Sequence, residues 1–158
     1  MKRFIKILAL CMLVAMVAMT FASCGLLGGD LSKIKSRLNK KDYAVITISS
    51  DSQIESIVEA MFEEYGLSSS DEMPEKALFT TTEDGESVLV IYEFKNSIKA
   101  LQAYNDDYED ALKLAADDLP EDYGEATYGI SGKLLYVGTV DACKDAFGFP
   151  MNLFIKEK

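Results

Sequence analysis

The chain has 158 residues, with 16 Lys and Arg against 26 Asp and Glu, and it contains no histidine. Because histidine is the commonest general base and the commonest transition-metal ligand, its absence excludes Ser-His-Asp and Cys-His catalytic arrangements. Residues 42–158 hold 8 basic and 25 acidic side chains, and a body of that charge repels phosphate backbones. Nucleic acid is therefore not expected as a partner.

The first segment has the pattern of an export signal. Lys2, Arg3 and Lys6 supply positive charge, and the fifteen residues 7–21 that follow carry none. A charged start before an apolar run of this length is typical of a signal peptide. A helix that crosses a bilayer needs about 20 apolar residues, which the run does not reach without Lys6, so an export signal is favoured over a retained anchor; simple secretion is the other alternative.

The end of the apolar run reads Phe21, Ala22, Ser23 and Cys24. This quartet resembles the lipobox of bacterial lipoprotein signals, which consists of an aliphatic residue, two small residues and the cysteine that receives lipid; Phe21 stands where leucine is usual. The resemblance implies cleavage before Cys24, acyl chains on that cysteine, and a protein held by lipid on the extracytoplasmic side of the cell membrane.

These features predict three regions: a lipoprotein signal peptide at 1–23, the lipidated cysteine with a flexible tether at 24–30, and one domain at 31–158. Removal of the signal leaves 135 residues, a size typical of one compact domain. The mature chain then has 13 basic and 26 acidic residues, a net charge of −13. Cys11 leaves with the signal, so Cys143 is expected to lack a disulfide partner.

The first predicted helix carries Leu31, Ile34 and Leu38 at helical spacing, and this stripe is expected to rest either on the domain or on the membrane. Basic residues lie between and after them, and they suit either an anionic lipid surface or a solvated helix face. These residues are Lys33, Lys35, Arg37, Lys40 and Lys41.

A strand at 43–49 and an amphipathic helix at 52–65 are predicted next. Residues 77–94 have the pattern of a β-hairpin, in which Asp84 and Gly85 are expected to form a type I′ turn. Its second strand, "VLVIYEF", is apolar enough to predict a central strand that is covered on both faces.

The longest predicted helix spans residues 97–119 and ends at Pro120. A second hairpin that turns at Ser131 and Gly132 follows, and then a short last helix begins with Val140. The apolar spacing predicts the buried side of the long helix: Ile98, Leu101, Tyr104, Tyr108, Leu112, Ala115 and Leu119.

Together the elements predict a single α+β domain with a mostly antiparallel sheet and helices packed on one face. The order β-α-β-β-α-β-β with extra terminal helices indicates a ferredoxin-like plait. The chain also resembles uncharacterised small lipoproteins of anaerobic Gram-positive bacteria, a resemblance that implies no activity. It lies in "YAV" at 43–45, "IYEF" at 91–94 and "GKLLYVGT" at 132–139.

No catalytic residue, metal ligand set or cofactor motif is predicted. Cys143 suits either a nucleophile near a helix start or a buried, inert thiol, and its apolar stripe favours the latter. The acidic segments 105–110 and 117–122 lack the spacing of a calcium loop and are typical of solvated surface. Tyr123 and Tyr128 are the predicted binding residues, because tyrosines beside glycines near a hairpin are expected to be exposed and to supply contact area.

The function expected from these features is a lipid-anchored extracytoplasmic domain that binds an envelope protein or a small ligand without catalysing a reaction. Its predicted partners are the membrane, through the lipid, and that protein or ligand. The alternative is a metal-assisted or carboxylate-based envelope hydrolase. Its carboxylate-based form, which would hydrolyse glycans, needs two carboxyl groups about 5–9.5 Å apart.

Overall fold

A computed structural model describes residues 30–148 of the chain. The predicted signal peptide and Cys24 lie outside these residues. None of the helices within 30–148 has the length and apolar character needed to cross a bilayer. In chain order the elements are α1 (Asp30–Asn39), β1 (Ala44–Ile48), α2 (Asp51–Glu64), β2 (Lys76–Thr81), β3 (Val88–Glu93), α3 (Ser97–Ala103), a π-helical turn (Tyr104–Tyr108), α4 (Glu109–Asp117), a 3-10 turn (Glu121–Tyr123), β4 (Ala126–Ser131), β5 (Leu134–Thr139) and α5 (Val140–Phe147).

The strands form one antiparallel sheet in the order β1-β2-β3-β5-β4. The prediction of a single α+β domain with the element order β-α-β-β-α-β-β is therefore confirmed. The middle strand, β3, is buried along its whole length, as expected for a doubly covered strand. Its side chains alternate between two clusters, because successive side chains of a strand point to opposite faces.

The helices cover both faces of the sheet, which corrects the expectation that all of them pack on one face. The larger core contains Val90 and Tyr92 of β3 and the apolar sides of α2, α3 and α4. The smaller core contains Leu89 and Ile91 with the apolar sides of α1 and α5. The terminal helices are thus needed to keep the second face of the sheet dry.

The strand order also differs from a ferredoxin-like plait. In that plait the two strands joined by a helix are parallel, with a third strand between them. Here β1 and β2 are hydrogen-bonded neighbours and antiparallel, with Ile48 opposite Ala77. The long segment 65–75 after α2 makes this possible, because it returns the chain to the end of β1 before β2 begins.

The first hairpin does not contain the predicted type I′ turn. That turn needs positive φ at both central residues, whereas Gly85 has φ of 77° and Asp84 does not have positive φ. Asp84 instead accepts hydrogen bonds from Thr82 Oγ1 and from the Glu86 N–H, at 2.5 and 3.1 Å. These bonds lower the pKa of the Asp84 carboxyl and hold a wider loop.

The apolar stripe of α1 rests on the domain. Leu31, Ile34 and Leu38 are buried against the second face of the sheet. Arg37 Nη1 donates to the carbonyl oxygens of Ala146 and Phe147, at 3.1 and 3.0 Å. The last carbonyl groups of a helix have no partner within it, so Arg37 caps α5 and joins α1 to it.

A second link between the terminal segments lies beside this cap. Asp145 of α5 forms an ion pair with Lys41 and accepts a hydrogen bond from the Tyr43 hydroxyl at 3.1 Å. Burial, followed by the charge of Asp145, raises the pKa of Tyr43 to about 12. The phenol therefore stays protonated and remains a donor at any physiological pH.

We expect Arg37→Met to lower the free energy of unfolding by about 1 kcal/mol, because it removes the cap on α5 but keeps the aliphatic stem. Lys33→Met on the same helix removes the same charge from an exposed residue and serves as the control. Urea unfolding followed by circular dichroism measures both. Equal effects of the two changes would show that the cap does not stabilise the fold.

Candidate functional site

The α3 ridge, which we define as Ile98, Leu101 and Tyr104, lies on the outer side of the long helix. Ile98 is 69 % exposed and Leu101 is 50 % exposed, and these are the two most exposed large apolar side chains of residues 30–148. Positions three apart on a helix are neighbours on its surface. The three side chains therefore form one continuous row, in which Tyr104 is half-buried.

This exposure corrects the prediction that Ile98 and Leu101 belong to the buried side of the helix. Ala100 and Ala103 are buried in their place, with no exposed area. The cause is the π-helical turn, in which the Glu109 N–H donates to the carbonyl oxygen of Tyr104, five residues earlier. One additional residue in the turn shifts the inward-facing positions of α3 by one.

Tyr108 fixes the phase of the helix after this turn. Its buried ring meets Phe62, Phe94 and Tyr92 edge-on, with ring centroids 5.1, 5.5 and 6.1 Å away. Its hydroxyl donates to the Glu72 carbonyl oxygen at 3.1 Å. Such aromatic pairs are favourable beyond the area that they bury, so α4 cannot rotate to restore a regular helix without losing all of these contacts.

One flank of α3 is covered by the segment 65–75. Lys99 forms an ion pair with Glu72, and Ser70 Oγ donates to Asp107 Oδ2 at 2.6 Å. Asn96 caps the start of α3 by accepting the Lys99 N–H at 2.9 Å. These contacts hold the helix in place on the side of Lys99 and Asp107.

Tyr104, on the other flank of the helix, and Tyr128 of β4 both pack half-buried against the larger core. Burial raises the pKa of Tyr104 to about 12, with further contributions from Glu109 and from Tyr128. Burial also raises the pKa of Tyr128, and the charges of Glu109, Asp117 and Asp110 raise it further, in that order. The two phenols therefore lie in a region of negative potential between the helix and the edge strand β4.

The structure places the two predicted binding residues differently. Tyr128 is half-buried on β4 and packs, like Tyr104, against the larger core. Tyr123 is half-buried in the 3-10 turn before β4, where it also packs against the larger core. Sequence reasoning missed Ile98 and Leu101, since only the π-helical turn distinguishes them from core residues.

The other candidate groups have structural roles. Cys143 is buried in the smaller core, and burial raises the pKa of its thiol, which makes it a poor nucleophile. Glu93 is buried at the end of β3 and lies 2.8 Å from Lys133 Nζ and 3.6 Å from Lys76 Nζ. The contact between Glu93 Oε1 and Lys133 Nζ is short enough for a hydrogen bond but lacks the angles of one, so the two groups form an ion pair.

Groups of three or more Cys, Asp or Glu side chains that could hold a metal ion are absent from residues 30–148. The chain matches no protein-family model, and neither the curated proteins nor the solved structures give a match. The geometry of the α3 ridge is therefore the basis of the functional argument.

We expect the double change Ile98→Ser and Leu101→Ser to lower the free energy of unfolding by about 1 kcal/mol or less, because only part of each side chain is buried, with Ile98 69 % and Leu101 50 % exposed. Leu112→Ala, on the buried side of α4, is expected to cost about 2–5 kcal/mol. Thermal and urea unfolding of the three proteins test this. A loss in the double variant close to that of Leu112→Ala would contradict the exposure of the ridge.

Proposed function

We propose that this protein is a lipid-anchored extracytoplasmic binding module that contacts another envelope protein through the α3 ridge. The observation that carries the proposal is the exposure of Ile98 and Leu101 beside two buried alanines. Burying a side chain of this size stabilises a protein by about 1.5–3 kcal/mol. Two adjacent large apolar side chains that remain largely exposed are typical of a surface that binds a partner.

The shape of the surface favours a protein over a small ligand. Small molecules bind in concave sites that enclose most of their area. The ridge lies on the outer side of a helix, which is convex, and a convex row of apolar side chains suits the groove or flat surface of a macromolecule. Tyr128 and Tyr104 add half-buried aromatic groups, each of which combines an apolar ring with a polar hydroxyl.

The proposed anchor places this surface close to the bilayer. Residues 24–29 lie between the lipid and α1, and a segment of that length spans at most about 20 Å. The module would therefore meet membrane proteins and proteins of the adjacent wall layer. Its strong negative charge also keeps it soluble and keeps copies apart at the crowded surface.

Fatty-acid labelling tests the anchor. We expect an alkyne fatty acid fed to cells to label the wild-type chain and Cys143→Ser, but not Cys24→Ala, since only Cys24 receives acyl chains. In-gel fluorescence measures the label, and mass spectrometry of the first peptide identifies the new N-terminus. A purified protein that still begins with Met1, or a Cys24→Ala chain that keeps the label, contradicts the proposal.

Site-specific crosslinking in cells tests the binding surface. A photoreactive amino acid at position 101 of the full lipoprotein is expected to give a discrete crosslinked species, identifiable by mass spectrometry. The same group at position 59, which is exposed on α2, is the matched control and is expected to give none. If both positions give the same products, or position 101 gives nothing, the ridge is not the binding surface.

A further inference from the structure

The charge around the α3 ridge indicates what kind of partner it fits, an inference that rests on the proposed function. Asp106, Asp110 and Asp117 are exposed along the π-helical turn and α4. With Glu109 they form the acidic rim of the ridge. None of these four makes an ion pair or hydrogen bond through its side chain with another residue of 30–148. Their charges are thus available to a partner.

The rim begins where the ridge ends, because the Glu109 N–H donates to the carbonyl oxygen of Tyr104 across the π-helical turn. After burial, the charge of Glu109 acts on the phenols of Tyr104 and Tyr128. Asp117 and Asp110 also act on Tyr128. A cation over the face of a tyrosine is attracted by the ring, and nearby carboxylates strengthen that attraction. The surface therefore combines apolar contact at Ile98 and Leu101 with carboxylates further along the same helical segment, where Glu109, Asp110 and Asp117 follow Leu101 by 8, 9 and 16 residues.

Two other occupants fit less well. An anionic bilayer attracts Lys and Arg and repels carboxylates, so the acidic rim opposes membrane insertion of the ridge. A second copy brings a mature chain of net charge −13. The basic helix of that copy, α1, has already buried Leu31, Ile34 and Leu38 in its own core, so its exposed face offers positive charge without apolar contact.

We propose that the α3 ridge and its acidic rim receive a basic amphipathic segment of another protein. Apolar side chains of that segment cover Ile98, Leu101 and Tyr104. Its Lys and Arg side chains pair with Glu109, Asp110 and Asp117 and approach the ring of Tyr128. An amphipathic helix laid along a matching surface is a recurring mode of peptide recognition, in which apolar anchors and charged neighbours are both needed.

Peptide titrations with the full-length lipoprotein in nanodiscs of neutral phosphatidylcholine test this, with empty nanodiscs as the blank. The probe is a fluorescent Lys/Leu peptide with amphipathic helical spacing, and fluorescence anisotropy reports binding. We expect the matched Glu/Leu peptide and a Lys/Ser peptide to bind at least tenfold more weakly. The first comparison tests the charge of the partner and the second its apolar face.

Two triple variants separate a specific rim from general attraction to an acidic protein. Glu109→Gln, Asp110→Asn and Asp117→Asn together are expected to weaken binding at least tenfold. The control is Glu55→Gln, Glu59→Gln and Glu63→Gln, which removes the same charge from the exposed side of α2 and is expected to change binding less than threefold. Ile98→Ser with Leu101→Ser is expected to weaken binding as strongly as the rim variant. Equal losses in the two triple variants overturn the proposal.

The remaining outcomes would contradict a basic partner segment. Ridge-dependent binding of the chain to phosphatidylglycerol vesicles, with no preference for the basic peptide, assigns the ridge to the membrane. Ridge-dependent dimers in mass photometry assign it to a second copy. If position 101 still crosslinks one envelope protein while the rim variant binds it normally, the binding function stands and the basic partner does not; without any crosslink the function itself fails.

Discussion

The packing of Tyr108 is the interaction on which the rest of the site depends. Three aromatic rings hold its side chain from the sheet and from α2, and its hydroxyl fastens the segment that covers one flank of α3. Because these contacts fix the position of the Tyr108 side chain, the helical segments on either side of it must adjust. The π-helical turn is that adjustment, and it leaves Ile98 and Leu101 exposed. A single buried side chain thus connects core packing to the surface that we assign to binding.

The two-sided sheet gives this site a rigid support. Since β3 sends alternate side chains into two cores, the helix that carries the ridge and the helices joined to the proposed tether lie on opposite faces. The α3 ridge and the proposed tether therefore lie on different sides of the domain. The cap that Arg37 makes on α5 and the ion pair of Lys41 with Asp145 join the terminal segments without any residue of the ridge. In the proposed function, a partner on the ridge leaves these contacts intact.

Local sequence patterns predicted much of this fold and little of its site. Alternation and β-branched residues indicated β1, β3 and β5, and caps and glycines indicated most helix ends, because these signals act over a few residues. The unbroken apolar run of β3 correctly predicted that this strand is covered on both faces. The order of the strands was not predicted, because the sequence of segment 65–75 does not indicate where the chain returns to the sheet. The ridge was missed because apolar spacing assumes 3.6 residues per turn throughout, and the π-helical turn breaks that assumption at the point where tertiary contacts of Tyr108 decide the geometry. Tyr128 was predicted to be an exposed binding residue from its neighbours in sequence. Its half-buried place in the same core as Tyr104 depends on tertiary packing, which those neighbours do not indicate.

The buried alanines and the exposed apolar residues of α3 also differ in how well they tolerate substitution. Ala100 and Ala103 are fully buried in the larger core, where a larger side chain would not fit without moving the helix. Ile98 and Leu101 are largely exposed, so their replacement costs the fold much less. During evolution, substitutions at these two surface positions can change the proposed binding preference, while the buried alanines keep the packing of the helix unchanged.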